Sequence, residues 1–147
     1  MIKKTIYILF FVLIAIASCN TQKSHFKNGM VVSAKIEASE AGISILKQGG
    51  NAFDAMIATD LALAVVYPNA GNLGGGGFMV FRLSNDSIGS LDYREKSPSK
   101  SIKDMYLNEN GDEIKGLSTY GGLAVGIPGT VAGLFETYEK FGSIPLD

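Results

Sequence analysis

The stretch between residues 51 and 82 constrains the fold more than any other part of the chain. Its first part, NAFDAMIATDLALAVVYP, has thirteen apolar residues among the seventeen that precede Pro68. A helix that is apolar around most of its circumference is normally buried on several sides. Asn51 suits the N-cap position, Asp54 follows three residues later, and Pro68 is a natural end. The sequence therefore predicts a buried helix that starts after Asn51 and ends before Pro68.

A run of glycines follows this helix. The segment GNLGGGG, residues 71–77, leads directly into the strand-like segment FMVFR. Consecutive glycines carry an entropic cost in an ordered segment, and they are useful where a Cβ atom would not fit. One interpretation is a phosphate-binding loop, and the other is close packing of backbone against backbone. The segment lacks the Gly-Lys-Ser/Thr sequence of a P-loop and precedes a strand instead of a helix, which favours close packing.

Two elements are predicted before the central helix. The valine-rich segment MVVSA, residues 30–34, predicts a short strand. The segment from Glu37 to Gln48 predicts a helix, because its small and apolar residues recur on one face. Gly49-Gly50 ends this helix, with one glycine in the left-handed conformation.

The second half of the chain predicts a hairpin, a loop and a last helix. FMVFR and SLDYRE are strand-like segments separated by the turn residues Asn85-Asp86-Ser87, which indicates an antiparallel hairpin. Residues 96–120 have no sustained period and predict a surface loop. Leu123 to Ile127 predicts a strand, and a helix with Thr130 as its N-cap and Gly142 as its end follows.

The first twenty residues predict a targeting segment. Lys3 and Lys4 precede an apolar run from Ile6 to Ala17, which is too short to span a bilayer as a helix and is typical of a signal peptide. Small residues stand just before Cys19, which resembles the lipobox of bacterial lipoproteins. The alternative is an ordinary signal peptide cleaved after Ala15-Ile16-Ala17.

The lipoprotein interpretation is favoured because Cys19 is the only cysteine in the chain. It predicts a signal peptide over residues 1–18, a polar tether over residues 19–28 and a folded part over residues 29–147. Acyl chains on Cys19 would anchor the protein to a lipid bilayer, and several chains hold more firmly than one. The expected location is the bacterial cell envelope, on the periplasmic side or the outer surface.

Composition narrows the possible functions. The chain has 13 basic and 14 acidic residues, a balance that does not predict a nucleic-acid surface. It has one histidine, one cysteine and no carboxylates clustered at ligand spacing, so no metal site is predicted. No cofactor is implied.

Arg94 is the candidate binding residue. In LDYREKSP it ends the second predicted strand and stands beside Asp92 and Glu95. On spacing alone, an ion pair with one of these carboxylates is favoured, and such a pair contributes little to stability when it is exposed. The other interpretation is that the planar guanidinium binds a substrate carboxylate.

Five segments resemble, in the same order, the γ-glutamyltransferases, which are also called γ-glutamyltranspeptidases. These segments are GMVVSA, ASEAGISILKQGGNAFDA, GNLGGGGFMV, LDYREKSP and AVGIPGTVAG, and the resemblance covers Gly29 to Asp147. The sequence departs from the family at Lys35-Ile36-Glu37, where many members carry a His-Pro pair. The resemblance implies the N-terminal part of the large subunit. The implied fold is the α+β sandwich of N-terminal nucleophile hydrolases, in α-β-β-α layers with mostly antiparallel sheets, of which only the N-terminal portion is present.

The resemblance also implies an activity. Family precursors cut themselves into two subunits, and the new N-terminal threonine of the small subunit attacks the γ-glutamyl amide with its own amine as base. That threonine would lie beyond Asp147, so no catalytic residue is expected in this chain, and neither Thr119 nor Thr130 is the nucleophile. The arginine of the family pattern D-[FY]-R-E-x-[AS]-P maps onto Arg94. It implies that Arg94 binds the α-carboxylate of the γ-glutamyl group, which reverses the preference for an ion pair.

The expected function is hydrolysis or transfer of γ-glutamyl groups from glutathione or another γ-glutamyl compound. The small subunit of the same precursor would complete the enzyme, and this segment alone is expected to be inactive. One alternative is a related acylase on the same fold, such as a cephalosporin acylase or a capsule γ-glutamyl transpeptidase. Two others are a non-catalytic, ligand-binding lipoprotein fragment and a nucleotide-binding domain built on the glycine loop. Strands without their partners also predict open sheet edges and exposed apolar faces.

Overall fold

The structure is a computed structural model that describes residues 28–71 and 73–146. Its elements are α1 (Ile36–Lys47), α2 (Ala52–Val66), β1 (Phe78–Arg82), β2 (Ile88–Asp92), a 3-10 turn (Gly122–Ala124) and α3 (Thr130–Phe141). The predicted signal peptide, Cys19 and most of the predicted tether lie outside the described residues. Within the described ranges, no helix has the length and apolar character needed to cross a membrane.

The first two helices form where the sequence predicts them. α1 matches its predicted bounds within one residue at each end, and Gly49 follows it with a φ of +94°. At the start of α2, the Asn51 side chain accepts hydrogen bonds from the backbone N–H groups of Phe53 and Asp54, at 2.7 and 3.1 Å. The Asp54 carboxylate in turn accepts one from the backbone N–H of Asn51, at 2.8 Å. This reciprocal arrangement is a capping box, and it confirms the predicted start of α2.

Small residues let α1 and α2 approach closely. A Cβ atom on Gly42 of α1 would lie 3.0 Å from the carbonyl oxygen of Ala55 and would overlap the hydroxyl of Thr59. That hydroxyl is buried and donates to the same Ala55 carbonyl, at 2.7 Å, so its polar group is satisfied within α2. Ala38, one turn before Gly42, is fully buried.

Two large apolar side chains in the second half of α2 are exposed. Leu61 is 42% exposed and Val65 is 79% exposed, whereas Ile57 is only 6% exposed. The predicted burial on several sides is confirmed in part, because α1, α3 and Phe81 of β1 all contact this helix, while Leu61 and Val65 stay exposed. The predicted exposed apolar faces are present, and they continue on the outer side of the hairpin at Val80 and Ile88.

The predicted hairpin is confirmed. β1 and β2 pair antiparallel with Val80 opposite Ser90, and β2 begins two residues earlier than predicted. Asp86, with a φ of +66°, lies in the turn between them. The inner face of the hairpin places Met79 beneath α3, where the Thr137 hydroxyl lies 3.9 Å from its sulfur.

An aromatic cluster joins the hairpin to both helices. The ring of Phe53 on α2 stacks on that of Phe141 at the end of α3, with centroids 4.4 Å apart. Phe81 of β1 meets both rings, with centroid distances of 5.6 and 4.8 Å. Edge-to-face and offset contacts of this kind stabilise a core beyond the area that they bury.

A buried carboxylate ties the start of α2 to the end of α3. Asp54 is 6% exposed, and it accepts hydrogen bonds from the hydroxyl and the backbone N–H of Ser143, at 2.6 and 3.1 Å. The Asn51 amide donates to the carbonyl of Phe141, at 2.6 Å. Burial raises the pKa of Asp54, but the hydrogen bonds from Ser143 and Asn51 outweigh it and hold the pKa below its ordinary value of 3.8.

Three predictions about local structure are wrong. Residues 30–34 form no strand, because no described residue pairs with them. Residues 123–127 are not a strand either, since a 3-10 turn takes up Gly122–Ala124 and only Ile127 pairs, through a single bridge to Lys96. Thr130 is the first residue of α3 and not its N-cap, a position that Gly129 occupies. The predicted loop over residues 96–120 is confirmed as turns and isolated bridges.

Candidate functional site

Arg94 lies just beyond the end of β2. The last paired residues of the hairpin are Phe78 and Asp92, and the ladder extends one step further where the N–H of Tyr93 donates to the carbonyl of Gly77, at 3.0 Å. The backbone N–H of Arg94 then donates to the carboxylate of Asp92, at 3.0 Å. The start of the segment that carries Arg94 is therefore fixed by the sheet and by a local turn.

The guanidinium of Arg94 is exposed and makes no ion pair with its acidic neighbours. The ion pairs among the described residues join Arg82 to Asp86 and Lys140 to Glu136. The Arg94 guanidinium lies instead over the ring of Phe78, 5.9 Å from the centroid, a weak cation–π contact. Its five N–H donors thus remain available for a planar, negatively charged ligand.

The glycine run packs directly against the backbone of Arg94. A Cβ atom on Gly76 would lie 2.8 Å from the Cα of Arg94 and 2.7 Å from both the carbonyl of Tyr93 and the N–H nitrogen of Glu95. No real side chain tolerates such contacts with backbone. The prediction that these glycines allow backbone to pack on backbone is confirmed at Gly76.

The same glycine run closes the N-terminus of α3. The carbonyl of Gly75 accepts hydrogen bonds from the N–H groups of Gly129 and Thr130, at 2.8 and 3.1 Å. A helix N-terminus can bind phosphate when its N–H groups are open to a ligand, and here a backbone carbonyl occupies two of them. This arrangement argues against a phosphate site at the glycine loop.

A third segment completes the surroundings of Arg94. Lys96 and Ile127 exchange two backbone hydrogen bonds, of 3.1 and 2.7 Å, which hold the segment before α3 beside the segment after β2. The glycine run, the LDYREKSP segment and the AVGIPGTVAG segment, which lie far apart in sequence, therefore meet at one place. No sequence signal other than the resemblance predicts this meeting.

Arg94 opens onto a groove with a positive lining. The groove is bordered by Arg94, Lys96 and Lys103, together with Glu95, the only acidic residue in its lining, and it continues toward Tyr106. Three cations against one carboxylate favour the approach of an anionic ligand. Within the part of the chain that the structure describes, no group of three or more His, Cys, Asp or Glu residues is arranged to hold a metal ion.

The two threonines that the resemblance excludes as nucleophiles, Thr119 and Thr130, lie in different surroundings. The hydroxyl of Thr119 donates to the carbonyl of Gly116, at 3.2 Å, in an exposed turn. Thr130 is 5% exposed in the first turn of α3. That neither residue attacks the substrate stays a prediction.

A family model for gamma-glutamyltranspeptidase matches residues 38–147 of the chain. This chain belongs to the γ-glutamyltranspeptidase family. The glutathione hydrolase proenzyme of Pseudomonas sp. (strain A14) is 54% identical over 117 residues, which make up 80% of this chain and 20% of that protein. The chain thus spans about a fifth of the length of this curated relative.

Solved structures agree with this assignment. The γ-glutamyltranspeptidase of Helicobacter pylori matches with a TM-score of 0.79 at 47% identity, over 84% of this chain and 35% of that chain. The transpeptidase CapD of Bacillus anthracis matches with a TM-score of 0.61 at 30% identity, over 82% of this chain and 35% of that chain. These matches confirm the predicted α+β fold, the N-terminal portion of the N-terminal nucleophile hydrolase sandwich.

Proposed function

We propose that the complete protein containing this chain cleaves γ-glutamyl amides such as glutathione and transfers the γ-glutamyl group to an amino acid, a peptide or water. The observation that carries the proposal is the state of Arg94. Its guanidinium is exposed and makes no ion pair with Asp92 or Glu95, at the place where three family segments meet. The name of the Pseudomonas relative, a glutathione hydrolase proenzyme, supports the choice of substrate.

In this proposal, Arg94 binds the α-carboxylate of the γ-glutamyl group. The planar guanidinium offers two parallel N–H donors to the two carboxylate oxygens, and such charge-assisted bonds are short and directional. Holding the carboxylate at one place helps to position the γ-carbonyl, where the bond breaks, for attack. The ring of Phe78 beneath the guanidinium limits the orientations that the arginine can take.

The nucleophile of the proposed reaction lies outside this chain. The resemblance to the family assigns it to a threonine beyond residue 147, freed when the precursor cuts itself, so the segment alone is inactive in this proposal. The partner of the segment is then the small subunit of the same precursor. The exposed apolar side chains of this chain, such as Leu61 and Val65 on α2, suit contact with further parts of the protein.

The proposed location is the bacterial cell envelope, on the periplasmic or outer side. Cleavage before Cys19 and acylation of its thiol would anchor the mature protein to a lipid bilayer. The support for this step is the sequence alone: the basic residues, the apolar run and the small residues before the single cysteine.

A transpeptidase or acylase with another substrate is the second candidate, and the match to CapD favours it over any unrelated enzyme. The glutathione hydrolase relative is more similar, at 54% identity against 30% for CapD. For this reason we prefer γ-glutamyl compounds of low molecular mass as substrates. A nucleotide-binding function has less support, because Gly75 occupies the N–H groups at the start of α3.

The test measures kcat/KM of the complete, self-cleaved protein on two anilides. One is the γ-glutamyl anilide, and the other is the 4-aminobutyryl anilide, which lacks only the α-carboxylate. Arg94→Lys keeps the charge but loses the planar pair of donors, and we expect at least a tenfold loss on the γ-glutamyl anilide. Arg94→Ala should lose more, on the order of the 2–5 kcal/mol found when one partner of a buried charged pair is removed.

The 4-aminobutyryl anilide should be a slow substrate for the parent and should be barely affected by either change. Arg82→Ala is the matched control, since this exposed arginine lies at the other end of the hairpin and pairs with Asp86. Equal proportional losses on the two anilides would mean that Arg94 has a structural role. No cleavage of the γ-glutamyl anilide by the parent would refute the proposed function itself.

A further inference from the structure

The half-buried side chain of Tyr93 packs against glycines that come from two distant segments. A Cβ atom on Gly77 would lie 2.7–3.1 Å from the outer end of the ring, at Cε2, Cζ and the hydroxyl oxygen. A Cβ atom on Gly133 of α3 would lie 2.5–2.6 Å from Cβ and Cδ1 and would overlap Cγ, at the root of the same side chain. The ring thus fits a space that exists only because both positions lack a side chain.

The backbone of Tyr93 is held as tightly as its ring. Its N–H donates to the carbonyl of Gly77 at 3.0 Å, and its own carbonyl accepts from the N–H of Gly77 at 3.4 Å. A Cβ atom on Gly129 would overlap this carbonyl and would lie 3.0 Å from the carbonyl oxygen of Arg94. The glycine run and the residue before α3 therefore both contact the peptide that joins Tyr93 to Arg94.

We propose that Tyr93 is the positioning residue for Arg94. The packed ring fixes the Tyr93–Arg94 peptide, and this peptide fixes the Cα from which the Arg94 side chain extends. The inference rests on the proposed function, because it concerns the placing of a substrate carboxylate. Catalysis is sensitive to errors of about 1 Å in the placing of a substrate, so loss of this support should reduce activity without removing any contact with the substrate.

The shape of the ring is the property that this role requires. Burial raises the pKa of the Tyr93 phenol above its ordinary value of 10.0, and the nearby carboxylate of Asp60 raises it further, so the group is neutral at physiological pH. Among the described residues, no hydrogen bond is found at the Tyr93 hydroxyl. Tyr93 and Asp60 both border a second groove, which lies between α2 and residues 28–33. Phenylalanine should therefore fill the space nearly as well as tyrosine.

The test compares Tyr93→Phe and Tyr93→Leu in the complete protein, with self-cleavage as the check that each variant folds. We expect Tyr93→Phe to stay within about threefold of the parent on the γ-glutamyl anilide. Tyr93→Leu leaves part of the space empty, and its kcat/KM on this substrate should fall by about 10- to 100-fold. On the 4-aminobutyryl anilide, which has no carboxylate for Arg94, the loss should be under about threefold. Tyr120→Leu, at an exposed tyrosine, is the control and should match the parent.

A double variant separates positioning from general damage. If Tyr93 acts through Arg94, then adding Tyr93→Leu to Arg94→Ala should cause almost no further loss, because the residue that it positions is already absent. A loss in the double variant equal to the product of the two single losses would overturn the inference, as would equal losses on both anilides. If Tyr93→Leu fails to self-cleave, the same comparisons on Tyr93→Met, whose flexible chain occupies the space without fixing the peptide, give the decision.

The outcome distinguishes this inference from the function on which it rests. A parent that does not cleave the γ-glutamyl anilide refutes the proposed function, and the inference falls with it. A parent that does cleave it, with a large loss in Arg94→Ala and none in Tyr93→Leu, refutes the positioning role alone.

Discussion

Replacing Asp54 with asparagine should loosen the junction between the start of α2 and the end of α3. The carboxylate accepts hydrogen bonds from the hydroxyl and N–H of Ser143 and from the N–H of Asn51. Asparagine has nearly the same shape, but it loses the charge and one acceptor oxygen, so at least one of these donors is left without a partner. A hydrogen bond to a charged group contributes about 1.5–3 kcal/mol, and the three bonds share one carboxylate, so a net loss of about 2–3 kcal/mol is expected.

The assay is hydrogen–deuterium exchange on the complete protein, followed in peptides that cover residues 141–146. Since about 1.4 kcal/mol corresponds to a factor of ten, these amides should exchange roughly 30- to 100-fold faster in Asp54→Asn. Asp86→Asn is the matched control, because this aspartate forms an exposed ion pair with Arg82 at the tip of the hairpin. Unchanged exchange of residues 141–146 in Asp54→Asn would refute the reasoning.

The contribution of Asp54 should also depend on pH in a defined direction. Hydrogen bonds hold the pKa of the folded-state carboxyl below the ordinary value of 3.8 that it has in the unfolded chain. The stabilisation is therefore fully present above pH 3.8 and is lost as the pH falls through the folded-state pKa. The difference in thermal midpoint between the parent and Asp54→Asn should be constant near neutral pH and should shrink in acid. A difference that grows in acid would contradict this assignment.

Three further changes test other parts of the structure. Gly76→Val should abolish self-cleavage or soluble yield, because its Cβ would lie 2.7–2.8 Å from backbone atoms. Gly122→Val is the control and should be tolerated, because a Cβ there would have no atom within 4 Å. Equal behaviour of the two variants would show that the glycine run does not require glycine. Cys19→Ser should prevent acylation, measured by mass spectrometry of the mature N-terminus, and continued fractionation with membranes would contradict the lipid anchor. Asp60→Asn should stabilise the protein at neutral pH, because partial burial raises the pKa of Asp60 and its charged form is unfavourable there. This gain, read from thermal midpoints, should vanish below the ordinary pKa of 3.8, and a gain that persists in acid would exclude the charge as its cause.

The elements that the sequence predicts correctly have local signals. The start of α2 follows from Asn51 and Asp54, which lie within one turn of each other and cap each other's backbone. The end of α1 follows from Gly49, which adopts a conformation that glycine alone enters without strain. In each case the residues that decide the structure are neighbours in the sequence.

The elements that the sequence predicts wrongly depend on distant partners. Residues 30–34 have the valines of a strand, but a strand forms only beside another, and the described residues provide none. Thr130 has the side chain of an N-cap, but Gly129 occupies that position, where its N–H and that of Thr130 both donate to the carbonyl of Gly75. Local propensity gives way to tertiary contacts at both places.

The candidate site was only partly predictable. Spacing favoured an ion pair for Arg94, and only the resemblance to a family reversed this preference. The link between Asp54 and Ser143, which are 89 positions apart, and the glycines around Tyr93 have no signal in a single sequence. The one available hint is that Gly129 and Gly133 lie one turn apart, a spacing that lets another segment approach a helix closely.

The carbonyl of Gly75 connects the glycine run to the start of α3, which lies much later in the sequence. α3 has no side-chain cap, and the carbonyl of Gly75 accepts hydrogen bonds from the N–H groups of Gly129 and Thr130 at its start. Closing the chain between Gly75 and Gly129 costs only slightly more entropy than closing a shorter segment, so their separation in sequence adds little to the cost of this contact. We therefore expect the first turn of α3 and the surroundings of Arg94 to open together in local unfolding, because both depend on the position of the glycine run. The protection of the Thr130 amide from hydrogen exchange should therefore report whether the surroundings of Arg94 are formed.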